Sequence, residues 1–366
     1  MFPKLIQQII NPPAFGLDIS DLTVKYAKLK ETKGGKRIDY FGEINIPDGI
    51  VVSGEIKNEK ELTRILQNGL RDRQGKPIKD RFIVASLPEE KSFLNIVQLP
   101  KIKPEQIPLA IRWELEGNIP FPLNEIYFDY EVIPSGEEKT DHVDILVTAF
   151  PKTIVDSYVR VVQGAGFMPA VLELESQAIS RALIDKKNLN RAIIILDLGA
   201  TKTSFITFSK NALTLTLGIN LGGRNFDQSI AKNLGISITE AEQIKKENGL
   251  DKNYKNGVIL ESVIPLLSEL VDAIKHQVIF YQEHSLHRHN AEPDISAVIL
   301  SGGDANLIGI ERYLNINLKK TVVLGNPLIN IYGENPKEIP PIPKNKTLKY
   351  ATAFGLALRG MDWNES

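Results

Sequence analysis

The feature that most constrains this chain is a short pattern that occurs once near its start and again in its second half. Leu17-Asp18-Ile19-Ser20 and Leu196-Asp197-Leu198-Gly199 each lead an apolar run into an aspartate, a small-residue turn and a further strand. Apolar runs bounded by turn residues predict buried strands. Four residues are a short echo, but a duplicated strand and turn indicates two related halves. Because 366 residues exceed the usual size of one domain, we predict two lobes that share a cleft.

Hydrophobic periodicity predicts the elements around the two aspartates. Strands are expected at 15–29 (two strands around a turn), 38–46, 82–87, 127–133, 143–150, 192–198 and 297–300. A further strand is expected to follow the Gly-Ala-Thr turn after 198 and to run through Phe208. Helices are expected at 62–70, 107–117, 154–165, 226–233, 239–248, 263–283 and 350–358. The alternation of strands and helices indicates an α/β chain, in which the stretch before Gly166 forms a small α+β insert. The proline-rich segment 332–346 is expected to be a surface loop.

Composition excludes several classes of function. The formal net charge is −1, which gives no basic excess of the kind that nucleic-acid binding requires. The chain has no cysteine, which excludes disulfides, thiolate metal sites and cysteine nucleophiles. Neither Lys33–Lys36 nor Gly199–Ser204 supplies a Walker loop, so the P-loop class is rejected. His284, His287 and His289 lack a glutamate–histidine motif nearby, which disfavours a metal centre there.

No apolar run is long enough to suggest a membrane span, so we expect a soluble protein. Met1–Ile10 carries apolar residues at helical spacing before the prolines stop the pattern. Membrane-surface helices usually carry more basic residues, so this stripe is expected to pack on the protein itself.

Both aspartate turns offer groups that bind phosphate and magnesium. The first, from Asp18 to Thr23, adds the hydroxyls of Ser20 and Thr23 to the carboxylate. The second, from Asp197 to Thr203, adds a Gly-Ala turn and two threonines. Tight turns of small residues let backbone N–H groups approach a triphosphate, and the aspartates would act through Mg²⁺-bound waters. The alternative for either turn alone is an ordinary hairpin.

A third candidate lies where the strand at 298–300 runs into Gly302 and Gly303. Glycines at a strand-to-helix turn let a flat ligand lie against the backbone, although Asp304 could instead be a helix cap. Gly222-Gly223 is a similar feature before the helix at Phe226. On the next helix, Glu242 with Lys245 or Lys246 has the spacing to reach a ribose or base, and the alternative is a surface ion pair.

These turns, in this order, resemble the phosphate-1, phosphate-2 and adenosine motifs of the actin-like ATPases. The matching segments are 16–25, 196–203 and 300–309, and the helices at 175–182 and 351–357 resemble the two connecting helices. The resemblance implies an actin-like, ribonuclease H-like α/β fold of two lobes that holds ATP and Mg²⁺ between them. It implies Asp18 and Asp197 as catalytic residues that also hold magnesium through water. The implied cofactor-binding residues are Ser20, Thr23, Lys25, Gly199, Ala200, Thr201, Thr203, Gly222, Gly223, Glu242, Lys245, Gly302, Gly303, Asp304 and Leu307.

Within that superfamily, the insert resembles the PilM proteins of type IV pilus assembly. Ile111-Arg112-Trp113-Glu114, Ile119 to Glu125 and Phe128 to Val132 look like sequences that PilM proteins carry in subdomain 1C. The alternative interpretation of the same stretch is a connection between helix and strand whose backbone is restricted by prolines. The resemblance implies an FtsA-type 1C α+β insert at 88–167, with subdomain 1A at 1–87 and 168–191, 2A at 192–224 and 295–366, and 2B at 225–294.

The PilM resemblance also implies partners and a location. It implies a cytoplasmic scaffold that binds the N-terminal tail of the inner-membrane protein PilN, so that contact with the membrane is indirect. Platform and motor proteins are further implied partners, ATPase activity is at most weak, and self-association stays open. We expect Arg112, Trp113, Ile119 and Phe121 to take part in partner binding.

One position departs from the family pattern. Glycine usually follows the Asp-Ile pair of the first phosphate motif, whereas Ser20 and Asp21 follow it here. Asp21 would repel a phosphate unless its carboxylate points away or binds Mg²⁺, which puts the nucleotide affinity in question.

Three other functions compete with the scaffold. The division protein FtsA has the same fold but normally ends in a basic amphipathic helix, whereas 361–366 is short and acidic. The cytoplasmic part of a type II secretion platform protein usually continues into a membrane span. A small-molecule kinase needs a base that deprotonates a hydroxyl, and the sequence nominates no third carboxylate.

Overall fold

The computed structural model describes residues 13–119, 121–133, 142–185, 191–209, 211–285, 294–334 and 338–363. The Met1–Ile10 stripe, Pro120, the side chains of the 284–289 histidines and the last three residues lie outside that description. The chain forms two compact units. The first contains residues up to 184 together with 327–341 and 350–366, and the second contains 185–326 and 342–349.

The first unit is built on a five-stranded sheet in the order β10-β6-β1-β2-β3. The strands of this sheet are β1 (Phe15–Ile19), β2 (Thr23–Thr32), β3 (Gly35–Asn45), β6 (Phe82–Leu87) and β10 (Met168–Leu174). β1 is antiparallel to β2 and parallel to β6, and β6 is parallel to β10. Between β3 and β6 lie a two-stranded hairpin, β4 (Val51–Val52) with β5 (Glu55–Ile56), and helix α1 (Glu59–Gly69).

The insert of the first unit forms its own small layer. Strands β7 (Phe93–Pro100), β8 (Ile126–Ile133) and β9 (His142–Pro151) make an antiparallel sheet in the order β7-β9-β8, and α2 is Ile107–Asn118. Ile107, Ile111 and Leu115 recur at helical spacing on α2, and all three are buried in the core of this layer. The predicted α+β character of the insert is therefore present.

Three further helices complete the first unit: α3 (Lys152–Gly164), α4 (Glu175–Leu183) and, near the end of the chain, α11 (Ala351–Met361). α9 (Ile329–Tyr332) is a single turn. α11 packs on α4 and β1, because its residues are apolar on all sides and almost all are buried. The sequence placed 295–366 with the second lobe, whereas 327–341 and 350–366 cluster with the first unit. The four subdomain boundaries stay a prediction.

The second unit has a sheet with the same order and strand directions as the first, β15-β14-β11-β12-β13. The strands of this sheet are β11 (Ile193–Leu198), β12 (Thr203–Ser209), β13 (Ala212–Ile219), β14 (Ala297–Ser301) and β15 (Thr321–Leu324). The helices of this unit are α5 (Gly223–Leu234), α6 (Ile238–Asn248), α7 (Val258–Ser285), α8 (Ile310–Leu318) and α10 (Lys344–Thr347). Asp18 and Asp197 thus lie near the ends of equivalent first strands, as the echo predicted.

Most of the predicted elements are present within two or three residues of their expected bounds, although α7 starts five residues earlier. Strands β4, β5, β7, β10, β13 and β15 and helices α8, α9 and α10 were not predicted. Within the described ranges, no helix combines the length and apolar character needed to cross a bilayer.

Candidate functional site

The first aspartate turn is held by its own side chains. The Ser20 backbone N–H donates to the Thr23 carbonyl at 2.9 Å, and the Ser20 hydroxyl lies 3.0 Å from both the Thr23 carbonyl and the Thr23 hydroxyl. Lys25 Nζ donates to Thr23 Oγ1 at 2.6 Å. Lys25 also pairs with Asp18 in the β1–β2 register. The structure therefore brings Asp18, Ser20, Thr23 and Lys25 into one turn.

Asp18 is 5% exposed, and its carboxylate is fixed from the neighbouring strand. Ser86, near the end of β6, donates its hydroxyl to Asp18 Oδ1 at 3.0 Å. Ser86 was not among the predicted site residues, because a serine near the end of a buried strand is common. Only the parallel pairing of β1 with β6 brings it to the carboxylate.

Asp21 is directed at the backbone of the β4–β5 hairpin. Its Oδ2 accepts the Ser53 N–H at 3.1 Å, and its Oδ1 accepts the Gly54 N–H at 3.0 Å. Tyr158 on α3 donates its hydroxyl to the Gly54 carbonyl at 2.9 Å. Both oxygens of Asp21 thus bind the hairpin, which is one of the arrangements under which this residue would not repel a phosphate.

The second aspartate turn is closed by backbone bonds. The Gly199 N–H donates to the Lys202 carbonyl at 3.0 Å, and the buried Thr203 hydroxyl donates to the Leu221 carbonyl at 2.5 Å. Asp197 and Thr201 are half-buried. The side chains of this turn are smaller than those of the first, because glycine and alanine stand where the first turn has serine and aspartate.

The start of α5 packs against the second turn. The Gly223 N–H donates to the Gly199 carbonyl at 2.9 Å, and the Arg224 N–H donates to the Ala200 carbonyl at 2.8 Å. A Cβ at Gly222 would lie 2.7 Å from the Ala200 carbonyl. The first amides of α5 therefore bind the 199–200 turn, and the glycines serve this close approach.

The Gly302-Gly303 turn follows β14 directly. Gly302 has φ +88°, and a Cβ there would lie 2.3 Å from the carbonyl oxygen of Leu198 at the end of β11. Only glycine tolerates both the left-handed conformation and the contact. Gly303 precedes a single 3-10 turn, Asp304–Asn306. Leu307 follows this turn and is buried in the core of the second unit, and its contact with a nucleotide stays a prediction.

Asp304 is part of a buried ionic cluster around Lys245. Lys245 Nζ lies 2.7 Å from Asp304 Oδ1, 2.9 Å from Asp227 Oδ1 and 3.1 Å from the Gly223 carbonyl. A Cβ at Gly223 would lie 2.0 Å from Asp304 Oδ2, so glycine is what admits the carboxylate. An ammonium has three donors, and here three protein oxygens surround it. Whether Lys245 also reaches a ribose stays a prediction.

The pKa of Lys245 is raised above its ordinary value. Burial acts to lower this pKa, but attraction by Asp304 and Asp227 outweighs burial. Burial raises the pKa of Asp227, so ionisation of that carboxyl is costly. Because two carboxylates lie within 3 Å of Nζ, we consider the lysine ionised. The sequence did not select Asp227, since it lies one turn into α5 with no motif around it.

Glu242 lies on α6 but outside this cluster. Its carboxylate pairs with Lys246 at 2.5 Å, and the bond from Lys246 lowers the pKa of Glu242. The surface ion pair that the sequence offered as the alternative is therefore present, and a ribose contact of Glu242 stays a prediction.

The insert residues expected to bind a partner are mostly exposed. Trp113 is 70% exposed and Phe121 is 44% exposed, and Arg112 is also exposed. Leu109, one helical turn before Trp113 on α2, is 56% exposed. Ile119 instead packs against the core of the insert. The outer side of α2 thus presents an apolar pair, Leu109 and Trp113, at (i, i+4) spacing.

Among the described residues, no group of three or more histidine, aspartate or glutamate side chains is arranged to hold a metal ion. Mg²⁺ commonly uses only one or two carboxylates and keeps several waters. The water-mediated binding of Mg²⁺ by Asp18 and Asp197 stays a prediction.

Several solved structures share the fold. The coordinates of a PilM-PilN type IV pilus biogenesis complex align with a TM-score of 0.79 and 23% identity, covering 96% of this chain and 99% of that chain. The ethanolamine utilization protein EutJ from Carboxydothermus hydrogenoformans aligns with a TM-score of 0.58 and 16% identity, covering 95% and 90%. MreB5 of Spiroplasma citri bound to ADP aligns with a TM-score of 0.52 and 12% identity, covering 95% of each chain. The predicted actin-like α/β fold is confirmed.

The sequence itself matches a family and more distant relatives. The cell division protein FtsA of Bacillus subtilis (strain 168) is 24% identical over 189 residues, which are 48% of this chain and 43% of FtsA. FtsA of Staphylococcus epidermidis (strain ATCC 12228) is 24% identical over 220 residues, 56% and 46% of the two chains. The match spans less than half the length of these curated relatives. The family profile described as Type IV pilus assembly protein PilM matches residues 16–361. Because that match includes both aspartate turns, the insert and the closing helix, the chain belongs to the PilM family of type IV pilus assembly proteins.

Proposed function

We propose that this chain is a nucleotide-binding scaffold of type IV pilus assembly that holds the N-terminal tail of PilN. The observation that carries the proposal is the PilM family match over residues 16–361. The solved relative with the same fold was captured as a PilM-PilN complex. The FtsA relatives support the shared fold, but their match is partial, so a division filament is the weaker alternative.

The proposed nucleotide is ATP with Mg²⁺, bound by the two aspartate turns and the Gly302-Gly303 turn. The fit rests on the donor set. Asp18 is oriented by Ser86, and Asp21 is turned to the β4–β5 hairpin, so the first turn need not repel a phosphate. Bound Mg²⁺ would neutralise part of the charge of the triphosphate. No third carboxylate is nominated as a base, so we propose at most weak ATPase activity.

The proposed partner surface is the outer side of α2 together with Phe121. Exposed aromatic side chains next to an apolar neighbour are typical of interaction sites, and Trp is among the residues that contribute most binding energy at interfaces. Leu109 and Trp113 provide such a pair, and Arg112 lies beside it. Through PilN, the scaffold would lie at the cytoplasmic face of the inner membrane, with platform and motor proteins as further partners.

The partner proposal is tested by titrating the chain with a synthetic N-terminal peptide of the PilN from the same genome. We expect Trp113→Ala and Phe121→Ala each to weaken binding at least tenfold, which corresponds to about 1.4 kcal/mol. Ile316→Ala is the matched control, because Ile316 is 64% exposed on α8 of the second unit. A wild-type chain that does not bind the peptide contradicts the partner proposal.

The nucleotide proposal is tested by calorimetry with Mg-ATP. We expect Asp197→Ala to weaken binding by about 1.5–3 kcal/mol, the usual contribution of one charge-assisted contact. Asp272→Ala is the control, because the Asp272 side chain is 68% exposed on α7. An affinity that Asp197→Ala leaves unchanged removes Asp197 from the site.

A further inference from the structure

A second repeated pattern lies at the ends of β6 and β14, the strands that are parallel to β1 and β11. Ser86-Leu87-Pro88-Glu89 ends β6, and Ser301-Gly302-Gly303-Asp304 ends β14. In both segments a serine is followed three residues later by an acid, and each acid contacts the start of a helix. Glu89 Oε2 accepts the Ser176 N–H of α4 at 3.2 Å, and Asp304 lies against Gly223 of α5. The duplication thus extends beyond the aspartate turns.

In the first unit the serine of this echo holds the aspartate. Ser86 is 1% exposed and Asp18 is 5% exposed, so the 3.0 Å bond between them is shielded from water. A hydrogen bond to an ionised group is stronger than one between neutral groups, and a buried one restricts the rotation of the carboxylate. Ser86 therefore orients Asp18.

In the second unit the same two residue types are placed side by side. β11 is parallel to β14, and Asp197 is paired with Ser301 in the register. Paired residues on adjacent strands direct their side chains to the same face of the sheet, with backbones about 4.8 Å apart. Ser301 is 0% exposed, and within the described residues its hydroxyl has no hydrogen-bond partner. A buried hydroxyl without a partner is costly, so it marks a position where a partner is expected.

We propose that Ser301 is a positioning residue for Asp197 in the Mg-nucleotide state, as Ser86 is for Asp18. Its hydroxyl donates to the Asp197 carboxylate when that carboxylate turns to water bound on Mg²⁺. This inference rests on the proposed nucleotide function and adds a residue that lies within the 300–309 segment but is not among the implied cofactor-binding residues.

The test uses the full chain with Ser301→Ala and Ser86→Ala, and measures ATP binding by calorimetry with Mg²⁺ and again with EDTA. We expect Ser301→Ala to raise the Kd for Mg-ATP about tenfold and to raise the Mg²⁺ concentration for half-saturation similarly. The Kd for metal-free ATP stays unchanged, because the serine acts through the metal-binding carboxylate. We expect Ser86→Ala likewise to raise the Kd for Mg-ATP and to leave the Kd for metal-free ATP unchanged. Ser296→Ala is the control, since Ser296 precedes β14 at its opposite end and donates to the Ala192 carbonyl.

Three outcomes separate the possibilities. If the wild type binds Mg-ATP and Ser301→Ala binds it equally, with the same Mg²⁺ dependence, the role of Ser301 is overturned while the proposed function stands. If the variant weakens Mg-ATP and metal-free ATP to the same extent, the serine is structural, and the inference is again overturned. If the wild type binds no nucleotide, the nucleotide function itself fails. Loss of fold is not expected, because alanine removes a buried hydroxyl that has no partner among the described residues.

Discussion

The two units share one sheet order, but they use it to make different turns. In the first unit, Ser20 and Asp21 follow the first strand, and Asp21 is tied to the hairpin amides of Ser53 and Gly54. In the second unit, Gly199 and Ala200 follow the first strand, and their carbonyls accept the first amides of α5. The same topology therefore supports two kinds of turn. The acidic turn of the first unit is held by side-chain hydrogen bonds, and the small-residue turn of the second unit is held by backbone hydrogen bonds. Sheet order sets where a turn lies, and local residues set what it can bind.

The buried lysines of the two units show the same contrast. Lys28 in the first unit has one carboxylate partner, Asp80, which is 33% exposed, and burial lowers the pKa of Lys28. Lys245 in the second unit has Asp227 and Asp304, and its pKa is raised despite burial. A single half-exposed carboxylate does not offset the desolvation of an ammonium, whereas the buried Asp227 together with the half-buried Asp304 does. The second unit should thus depend more on its lysine.

The largest expected effect tests that contrast directly. We expect Lys245→Met to lower the free energy of unfolding by about 3–5 kcal/mol, because it leaves the buried Asp227 and the half-buried Asp304 without their counter-charge. Lys28→Met should cost about 1 kcal/mol or less, since Asp80 keeps water and the Tyr40 hydroxyl. Urea denaturation followed by circular dichroism measures both. Lys246→Met, on the same helix but with a 67% exposed side chain, is the control. Equal losses for the two buried lysines would contradict the comparison.

The next effect tests the Gly302-Gly303 turn of the second unit. We expect Gly302→Ala to cost about 2–3 kcal/mol, because an added Cβ meets the Leu198 carbonyl at 2.3 Å in a left-handed conformation. Gly303→Ala is the matched control. Its Cβ would lie 3.7 Å from that of Lys349, and its φ is −67°, so the cost should be below about 1 kcal/mol. Thermal and urea unfolding of the pair give the difference, and similar losses would show that the close approach to β11 is unimportant.

A smaller effect tests the acidic turn of the first unit. We expect Asp21→Ala to cost about 2 kcal/mol, because two backbone amides lose a charged acceptor. We expect the Kd for Mg-ATP to stay within about twofold of the wild type, because the carboxylate is directed at the hairpin. Glu31→Ala, exposed on β2, controls for the loss of one charge. Markedly tighter nucleotide binding by Asp21→Ala would mean that Asp21 does face the phosphates.

The smallest expected effect is a loss of stability at alkaline pH, which we expect in the first unit. Burial raises the pKa of Tyr26 and of Tyr40 in the first unit. A raised folded-state pKa gives stability that is present below the unfolded pKa, about 10, and is lost as the pH rises toward the folded value. We expect each tyrosine to cost the first unit up to about 1.4 kcal/mol between pH 10 and 11.

Tryptophan fluorescence measures this loss selectively. The chain has two tryptophans, Trp113 and Trp363, and both belong to the first unit. Tyr40→Phe should flatten the dependence of the fluorescence-detected unfolding on pH above 10, while Tyr313→Phe on α8 serves as the control. A dependence that Tyr40→Phe leaves unchanged would exclude Tyr40 as its source.

Local patterns were sufficient for the central strands and for most helices. β1, β6, β11 and β14 are apolar and bounded by turn residues, so their positions follow from sequence alone. The missed strands are the two short hairpin strands β4 and β5, one strand of the insert, and three edge strands, β10, β13 and β15. Edge strands are half-exposed and short or interrupted, and they become strands through pairing with a partner distant in sequence.

The candidate site divides in the same way. Asp18, Asp197 and the glycine pairs could be selected because strand ends and glycine turns leave a local signal. Ser86, Ser301 and Asp227 could not, because a lone serine or aspartate next to an apolar residue is ordinary. The direction of Asp21 was equally hidden, since its acceptors lie in a hairpin more than thirty residues away.

Four features could be predicted from the order of residues: the two related halves, the aspartate at the end of each first strand, the insert and the family. These features depend on the order of apolar, small and turn residues within a few positions, and that order can be read from the sequence. Tertiary structure alone decided which serine meets which aspartate, that Lys245 is enclosed by two carboxylates, and that α11 packs with the first unit. Such pairings form between residues far apart in the chain, where strand register and burial, rather than local preference, set the energy.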